Sequence, residues 1–288
     1  MNDKFSFKKG HRSRAIFLIF AYAFLALFMA AMIIPILKVF VDSVDPSASA
    51  VMRILPKQFD LGAYQQILSR QDLLQPFIIS IITTIVGTAV GLLLTTLAAY
   101  VIIQKDMPGN RFFINMILFT MLFNGGLIPT YLTVSYLGLM NNYIAVIVPI
   151  TVTAYNIILM KSFFQTIPPA LYEAAELDGC TPFGIFWRIV LPLSKPALAS
   201  IGLFIAVAMW NDFMHFQLYI QDPMLQNFQL KVRQLVLMDQ AVGTSQSAVS
   251  GDMLKSAVII VVMAPLVIVY PFIQKYFQKG VTLGGVKE

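Results

Sequence analysis

Apolar residues in this chain come in long unbroken blocks. Ala15–Leu37 is a run of 23 residues without Asp, Glu, Lys or Arg. At about 1.5 Å per residue it covers a hydrocarbon layer of about 30 Å with some tilt. It predicts a membrane-spanning helix over 15–41. Lys4, Lys8, Lys9, Arg12 and Arg14 precede it, as in a signal peptide, and Ala48-Ser49-Ala50 offers a small-residue site beyond it. The run is longer than the roughly 7–15 residues of a signal core, and Asp42 and Asp45 intervene. It reads as an uncleaved anchor.

A mixed-charge stretch over 42–72, with Pro46, Pro56 and Gly62, predicts an exposed connection with a short amphipathic piece over 61–69. The second apolar block, 76–103, ends at Lys105, Asp106 and the turn pair Pro108-Gly109. Phe112–Met160 then contains no Asp, Glu, Lys or Arg, which is too long for one helix and suits two. Gly125, Gly126 and Pro129, then Gly138 and Asn141-Asn142, predict a helix end, a polar connector and a new N-cap. Spans are therefore expected over 112–128 and 143–164. A polar segment over 165–195 leads to a fifth span over 196–219. A second connector over 221–253 carries the patch Gly243-Thr244-Ser245-Gln246-Ser247, and a sixth span follows over 254–276. The fold class is an all-α integral membrane protein with six transmembrane helices and both termini on one side.

Composition agrees. The chain is 58% hydrophobic and 12% charged, with mean hydropathy +0.77, whereas soluble domains carry about 25% charged residues. Disorder and coiled coil are excluded. The net charge is +6. With the N-terminus inside, 13 of the 20 Lys and Arg residues fall on inner segments, as the positive-inside rule expects. The basic N-terminus (1–14), the 166–195 segment and the tail (278–288) are then cytoplasmic, in a multi-pass protein of the plasma or inner membrane. The cations flank apolar runs, so the balance reads as orientation and not as nucleic-acid binding. Cys180 is the only cysteine, and His11 and His215 lack ligand-spaced partners, so neither a disulfide nor a metal site is expected.

The 166–195 segment carries the most information. Pro169 suits a first helical turn, and Glu173 and Glu176 lie early in the helix. Gly179 is a ready C′ residue, and Thr181-Pro182 is an N-cap with an N1 proline. A helix, a glycine turn and a second short helix stopped by Pro192 are expected. Ala174 and Ala175 leave a face without bulk for a close-approaching protein, Glu173 offers a carboxylate, and Leu171, Leu177 and Phe183 offer apolar anchors. An amphipathic helix that only caps the bundle would show the same periodicity.

Glu173-Ala174-Ala175, three residues, Gly179, nine residues, Ile189, one residue, then Leu191-Pro192 is identified as the EAA signature of permease subunits of ABC importers. Seven specified positions at fixed spacing arise by chance about once in 10⁸ starting points. The resemblance covers 73–277 as the type 1 (MetI-like) permease core, with the first span as an extra helix. It implies that Glu173, Ala174, Ala175, Asp178, Gly179, Ile189, Leu191 and Pro192 form a coupling helix gripped by a separate ATPase subunit. The sequence independently lacks the G-x-x-x-x-G-K-[ST] phosphate loop. The chain is thus expected to be no enzyme and to bind no cofactor, with ATP and Mg on two partner ATPase subunits. A second, related permease chain, an extracellular binding protein and membrane lipid complete the expected partners.

Leu127-Ile128-Pro129-Thr130-Tyr131, Leu137-Gly138-Leu139-Met140-Asn141-Asn142, Trp210-Asn211-Asp212-Phe213 and the tail Lys279-Gly280-Val281-Thr282-Leu283-Gly284-Gly285-Val286-Lys287 are similar to the sugar branch of that family. Asn124-Gly125-Gly126 resembles the lipoprotein-associated polysaccharide permeases, which favours an oligosaccharide; a peptide or amino acid importer is the alternative. A membrane-embedded enzyme would need a catalytic cluster that the spans lack, and a membrane scaffold is the other remote reading. A sugar needs aromatic platforms and amide or carboxylate partners, which Trp210, Asn211, Asp212 and Phe213 supply, with Asn124, Asn156 and Asn115 as further candidates. Asp212 equally suits the outer headgroup level with Trp210 as a belt anchor, and the amides equally suit interhelical bonds. Gly87-Thr88-Ala89-Val90-Gly91 predicts a close-packing face, with a dimer seam as the lesser reading.

Overall fold

The apolar blocks are helical in the computed structural model, which describes residues 12–47, 53–104, 106–237 and 251–285, with side chains described at 14, at 16–47 and up to 271. Outside these lie the basic residues before 12, the Ala48-Ser49-Ala50 site, Lys105, the Gly243–Ser247 patch and the last three residues. So do the side chains of the 279–285 motif. Among the described residues the fold is helical without strands.

The chain divides into two compact units, Met1–Ile67 with Ala241–Val261, and Leu68–Gln240 with Val262–Glu288. In the first, α1 (Arg12–Val44) runs continuously through Pro35. Its apolar side chains are mostly exposed, as a lipid-facing helix requires. Its C-terminal end is closed by polar bonds. Asp60 N–H donates to the Val44 carbonyl at 2.8 Å, and the Ser43 and Tyr64 hydroxyls pair at 2.7 Å. The Asp45 carboxylate accepts the backbone N–H groups of Ser47 (2.9 Å) and Lys57 (2.7 Å). The amphipathic piece expected near 61–69 is α2 (Gly62–Ser69).

In the second unit α3 (Gln71–Ile103) is the central rod. After it come α4 (Asn110–Leu122), α5 (Leu127–Tyr136), α6 (Ile144–Thr151) and α7 (Ala154–Phe164). Next are α8 (Pro169–Leu177), α9 (Pro182–Ile185), α10 (Leu191–Leu193), α11 (Lys195–Asn211), α12 (Met214–Tyr219), α13 (Phe228–Leu237) and α14 (Gly251–Gly285), whose residues up to Val261 belong to the first unit. Glycines let α3 approach its neighbours. A Cβ on Gly91 would stand 2.5 Å from the Thr151 Cβ of α6, and one on Gly87 3.0 Å from the Met209 methyl of α11. The Gly87–Gly91 face therefore packs inside the chain. The core beside it includes Ala99, Met160, Phe164, Phe186, Ile201 and Phe216.

Among the described residues three uninterrupted helices are long and apolar enough to cross a membrane: α1 from Ile16, α3, and α14 up to Pro271. Three bent helix pairs among the same residues meet the test together, which gives six spans if each pair is one crossing. The pairs are α4 with α5, bent by 120°, α6 with α7, by 48°, and the 182–193 segment with α11, by 82°. The connector expected after residue 128 is thus itself helical. Gly126 takes φ +90° to turn the chain, and the hydroxyls of Thr130 and Thr133 donate back to the Gly126 and Pro129 carbonyls at 2.8 Å. Asn142, not Asn141, serves the start of α6, accepting the Ile144 N–H at 2.9 Å. Asn141 sits at φ +57° and reaches across the chain, where its side-chain oxygen accepts the N–H groups of Gln221 and Asp222. The apolar stretch over 196–219 is two helices broken at Asp212, not one.

Candidate coupling elbow and transport path

Proline, glycine and threonine chemistry builds the elbow locally. Pro169 opens α8, whose missing N–H costs nothing in a first turn. At the other end Gly179 takes φ +76°, its N–H donating to the Glu176 carbonyl (3.0 Å) and the Cys180 N–H to the Ala175 carbonyl (2.9 Å). These two bonds form a Schellman turn that satisfies two of the last carbonyls. Thr181 then caps α9 by accepting the Gly184 N–H at 3.2 Å.

Pro192 does not stop this second helix. Residues Phe186–Val190 form a wide π turn, in which the Leu191 N–H donates to the Phe186 carbonyl. The extra residue makes room for the Pro192 ring, which in an ordinary turn would meet the Arg188 carbonyl. The helix continues to Leu193 and bends only at Ser194, whose N–H is shared between the Val190 and Leu191 carbonyls.

The elbow is tied to the end of α3. Tyr100 donates its hydroxyl to the Pro182 carbonyl at 2.8 Å and lays its ring 5.0 Å from that of Phe186, which is fully buried. Tyr172 of α8 is half-buried, its hydroxyl oxygen without a partner, and burial pushes its pKa up to about 12.

Glu173, Ala174, Glu176, Asp178 and Gly179 are exposed, and Leu177 (89%) and Phe183 (64%) project fully. Ala175 points the other way. It is 5% exposed and packed in the core, so its small size serves the chain's own interior rather than the open face. Ile189 and Leu191 are half-buried against the same core, while Pro192 is exposed.

The residues expected along a transport path do not form one cluster. Asn115 and Asn124 are exposed, the latter accepting the Gly126 N–H. Asn156 is buried near the start of α7, its backbone N–H capped by Thr153. Trp210 is 4% exposed, donates its indole N–H to the Val262 carbonyl at 3.0 Å, and meets Phe77 edge to face. It joins helices and offers no open ring face. Asn211 is exposed and donates to the Val207 carbonyl.

Asp212 and Phe213 do gather polar partners. One carboxylate oxygen of Asp212 is 2.7 Å from His215 Nδ1, and the other is buried without a partner. Asn227 donates to the Asp212 carbonyl. The Arg233 guanidinium lies 4.2 Å over the Phe213 ring. His215, Asn227 and Arg233 carry no local motif. The three-residue spacing of Asp212 and His215 within a helical stretch was the one available signal.

Residues 112–283, more than half of the chain and including the whole elbow, match the family model described as "Binding-protein-dependent transport system inner membrane component". The chain belongs to this family. It is therefore a transport permease and not an enzyme. Among curated relatives it is 42% identical to Protein LplC of Bacillus subtilis (strain 168), over 90% of each chain. It is 40% identical to the polygalacturonan/rhamnogalacturonan transport system permease protein YtcP of the same organism, over 92% of this chain and 96% of the other. Among solved structures it matches one from a bacterial ABC transporter involved in the import of the acidic polysaccharide alginate. The TM-score is 0.88 at 30% identity, covering 96% of this chain and all of the other. This permease thus has the membrane fold of an ABC importer subunit.

Proposed function

We propose that this permease moves an oligosaccharide, most readily an acidic one, into the cell, coupled through its elbow to ATPase subunits bound on the cytoplasmic side. The observation that carries the reading is the elbow. The C-terminal end of α8 is closed by its own glycine turn and α9 is capped by Thr181, and the apolar and acidic residues Leu171, Glu173, Leu177 and Phe183 are nevertheless open. A rigid piece with an uncovered apolar crest suits insertion into a cleft of another protein. Two proteins similar to this chain are named for acidic polysaccharides, which favours an acidic sugar.

In this reading ATP and Mg sit wholly on the partner subunits. Closure of two ATPases draws the elbows together, and the permease pair rocks between inward-open and outward-open packings. An extracellular binding protein supplies the sugar, and the second permease is a related chain. Both termini and the elbow face the cytoplasm, as the distribution of Lys and Arg favours. Glu173, Ala174, Asp178 and Gly179 touch the ATPase, while Ala175, Ile189, Leu191 and Pro192 set the elbow's shape. Asp212 and Phe213 are the residues of the expected path best placed to meet substrate, with Asn124, Asn156 and Asn211 in lesser roles and Trp210 bracing α11 against α14.

Reconstitution with the ATPases, partner permease and binding protein tests this. Glu173→Lys is expected to leave membrane insertion intact and separate ATP hydrolysis from uptake. Undiminished uptake by that variant would overturn the role of the elbow.

A further inference from the structure

A cavity of about 320 Å³ opens at the N-terminal end of α3, lined by Gln71, Asp72 and Gln75 from that helix and by Gln226, Lys231 and Gln234 from the segment around α13. None of these belongs to the transport path considered above. Asp72 and Tyr100 are 28 positions apart on one continuous helix, a rise of about 42 Å. That exceeds the roughly 30 Å hydrocarbon thickness, so the cavity and the elbow bound by Tyr100 lie on opposite sides of the bilayer.

The polar groups inside are only partly used. Gln75 donates one amide N–H to the Met224 carbonyl (2.7 Å), and Gln234 donates one to the Gln226 side-chain oxygen (3.2 Å). Each amide carries two donors and two acceptor lone pairs. The carboxylate of Asp72 is clamped at both oxygens by Arg70, at 3.0 and 2.8 Å. Lys231 Nζ stands 3.9 Å from that carboxylate, outside hydrogen-bond reach. With Arg70 neutralising Asp72, the ammonium of Lys231 is the charge in surplus. The cavity has the volume of a small ligand site, roughly 300–1,000 Å³, and suits one end of a chain. Several amides around one ammonium match a ring of hydroxyls that carries a carboxylate.

We propose that this cavity is an entry subsite that binds a uronate unit of the arriving oligosaccharide, Lys231 taking the carboxylate and Gln75, Gln226 and Gln234 the hydroxyls. The proposal rests on the reading of the chain as an oligosaccharide importer. It places a selective contact at the mouth of the path, about the thickness of the membrane from the elbow.

The test uses the complete importer in proteoliposomes, with trigalacturonate and maltotriose as probes, and direct binding of both to the purified full-length complex without binding protein. Trigalacturonate is expected to bind the wild type at least tenfold more tightly than maltotriose. Lys231→Met should abolish that preference and lower trigalacturonate uptake at subsaturating concentration, and Lys231→Arg should restore both, which separates recognition from misfolding. Trigalacturonate uptake and binding unchanged in Lys231→Met would overturn the subsite and leave the importer reading standing. Transport of neither sugar by the wild type, beside ATP-driven uptake of a peptide, would overturn the importer reading itself. Loss of binding-protein affinity in Lys231→Met without any change in sugar binding would make the cavity a protein-docking site and also overturn the subsite.

Discussion

The Tyr100 hydroxyl and the Pro182 carbonyl are 2.8 Å apart, which joins the C-terminal end of the longest rod of the second unit to the first residue after the elbow's turn. A backbone carbonyl held this way cannot shift without α3. Tyr100→Phe removes one hydrogen bond, about 1 kcal/mol of net stability, and frees the elbow to move alone. Sugar transported per ATP hydrolysed is expected to fall while membrane insertion stays normal; an unchanged ratio would show that this bond transmits nothing.

Gly91 and Gly87 lie one helical turn apart on α3 but meet different neighbours. A Cβ at 91 collides with the β-branched Thr151, whose stem cannot swing away, whereas one at 87 meets the flexible end of Met209. Gly91→Ala is expected to destabilise by about 1–3 kcal/mol and Gly87→Ala by less. Thermal unfolding in detergent, read by fluorescence, should rank them in that order.

Tyr172 keeps its hydroxyl buried with no partner, a cost that Phe would not carry. Tyr172→Phe is expected to be neutral or stabilising by up to about 1 kcal/mol. A drop in melting temperature would mean that the hydroxyl is satisfied in the assembled protein.

Asp45 anchors the turn after α1. The Lys57 backbone N–H, followed by the Ser47 hydroxyl, holds its carboxyl at about 2, well below the usual value of 3.8. Since the folded value lies below the unfolded one, the stabilisation is complete above about pH 4 and is lost as pH falls through about 2. Hydrogen exchange at the Lys57 amide should therefore accelerate, beyond its intrinsic pH dependence, between pH 4 and 2. Asp45→Asn should remove that step.

Much of this architecture is legible in the order of residues because the bilayer imposes a simple rule. Backbone groups in hydrocarbon must bond within their own helix, so a charge-free block over 76–103 leads directly to α3. The elbow was legible for a related reason: Pro169, Gly179 and the Thr181-Pro182 pair each act on neighbours a few residues away. Local chemistry is enough to write a helix, a left-handed turn and a second cap.

What only the tertiary structure decided are relationships with no local signature. Pro192 is absorbed by a π turn whose first residue, Phe186, is held in the core, Asn141 braces Gln221 and Asp222 eighty positions on, and Trp210 spends its indole N–H on Val262. The cavity around Lys231 depends on α3 and α13 meeting end to side, though they are separated by more than a hundred residues. Hydrophobic blocks and caps determine where helices begin and end. Which faces meet depends on side-chain shape across distant positions, such as Gly91 beneath Thr151, and periodicity does not encode it.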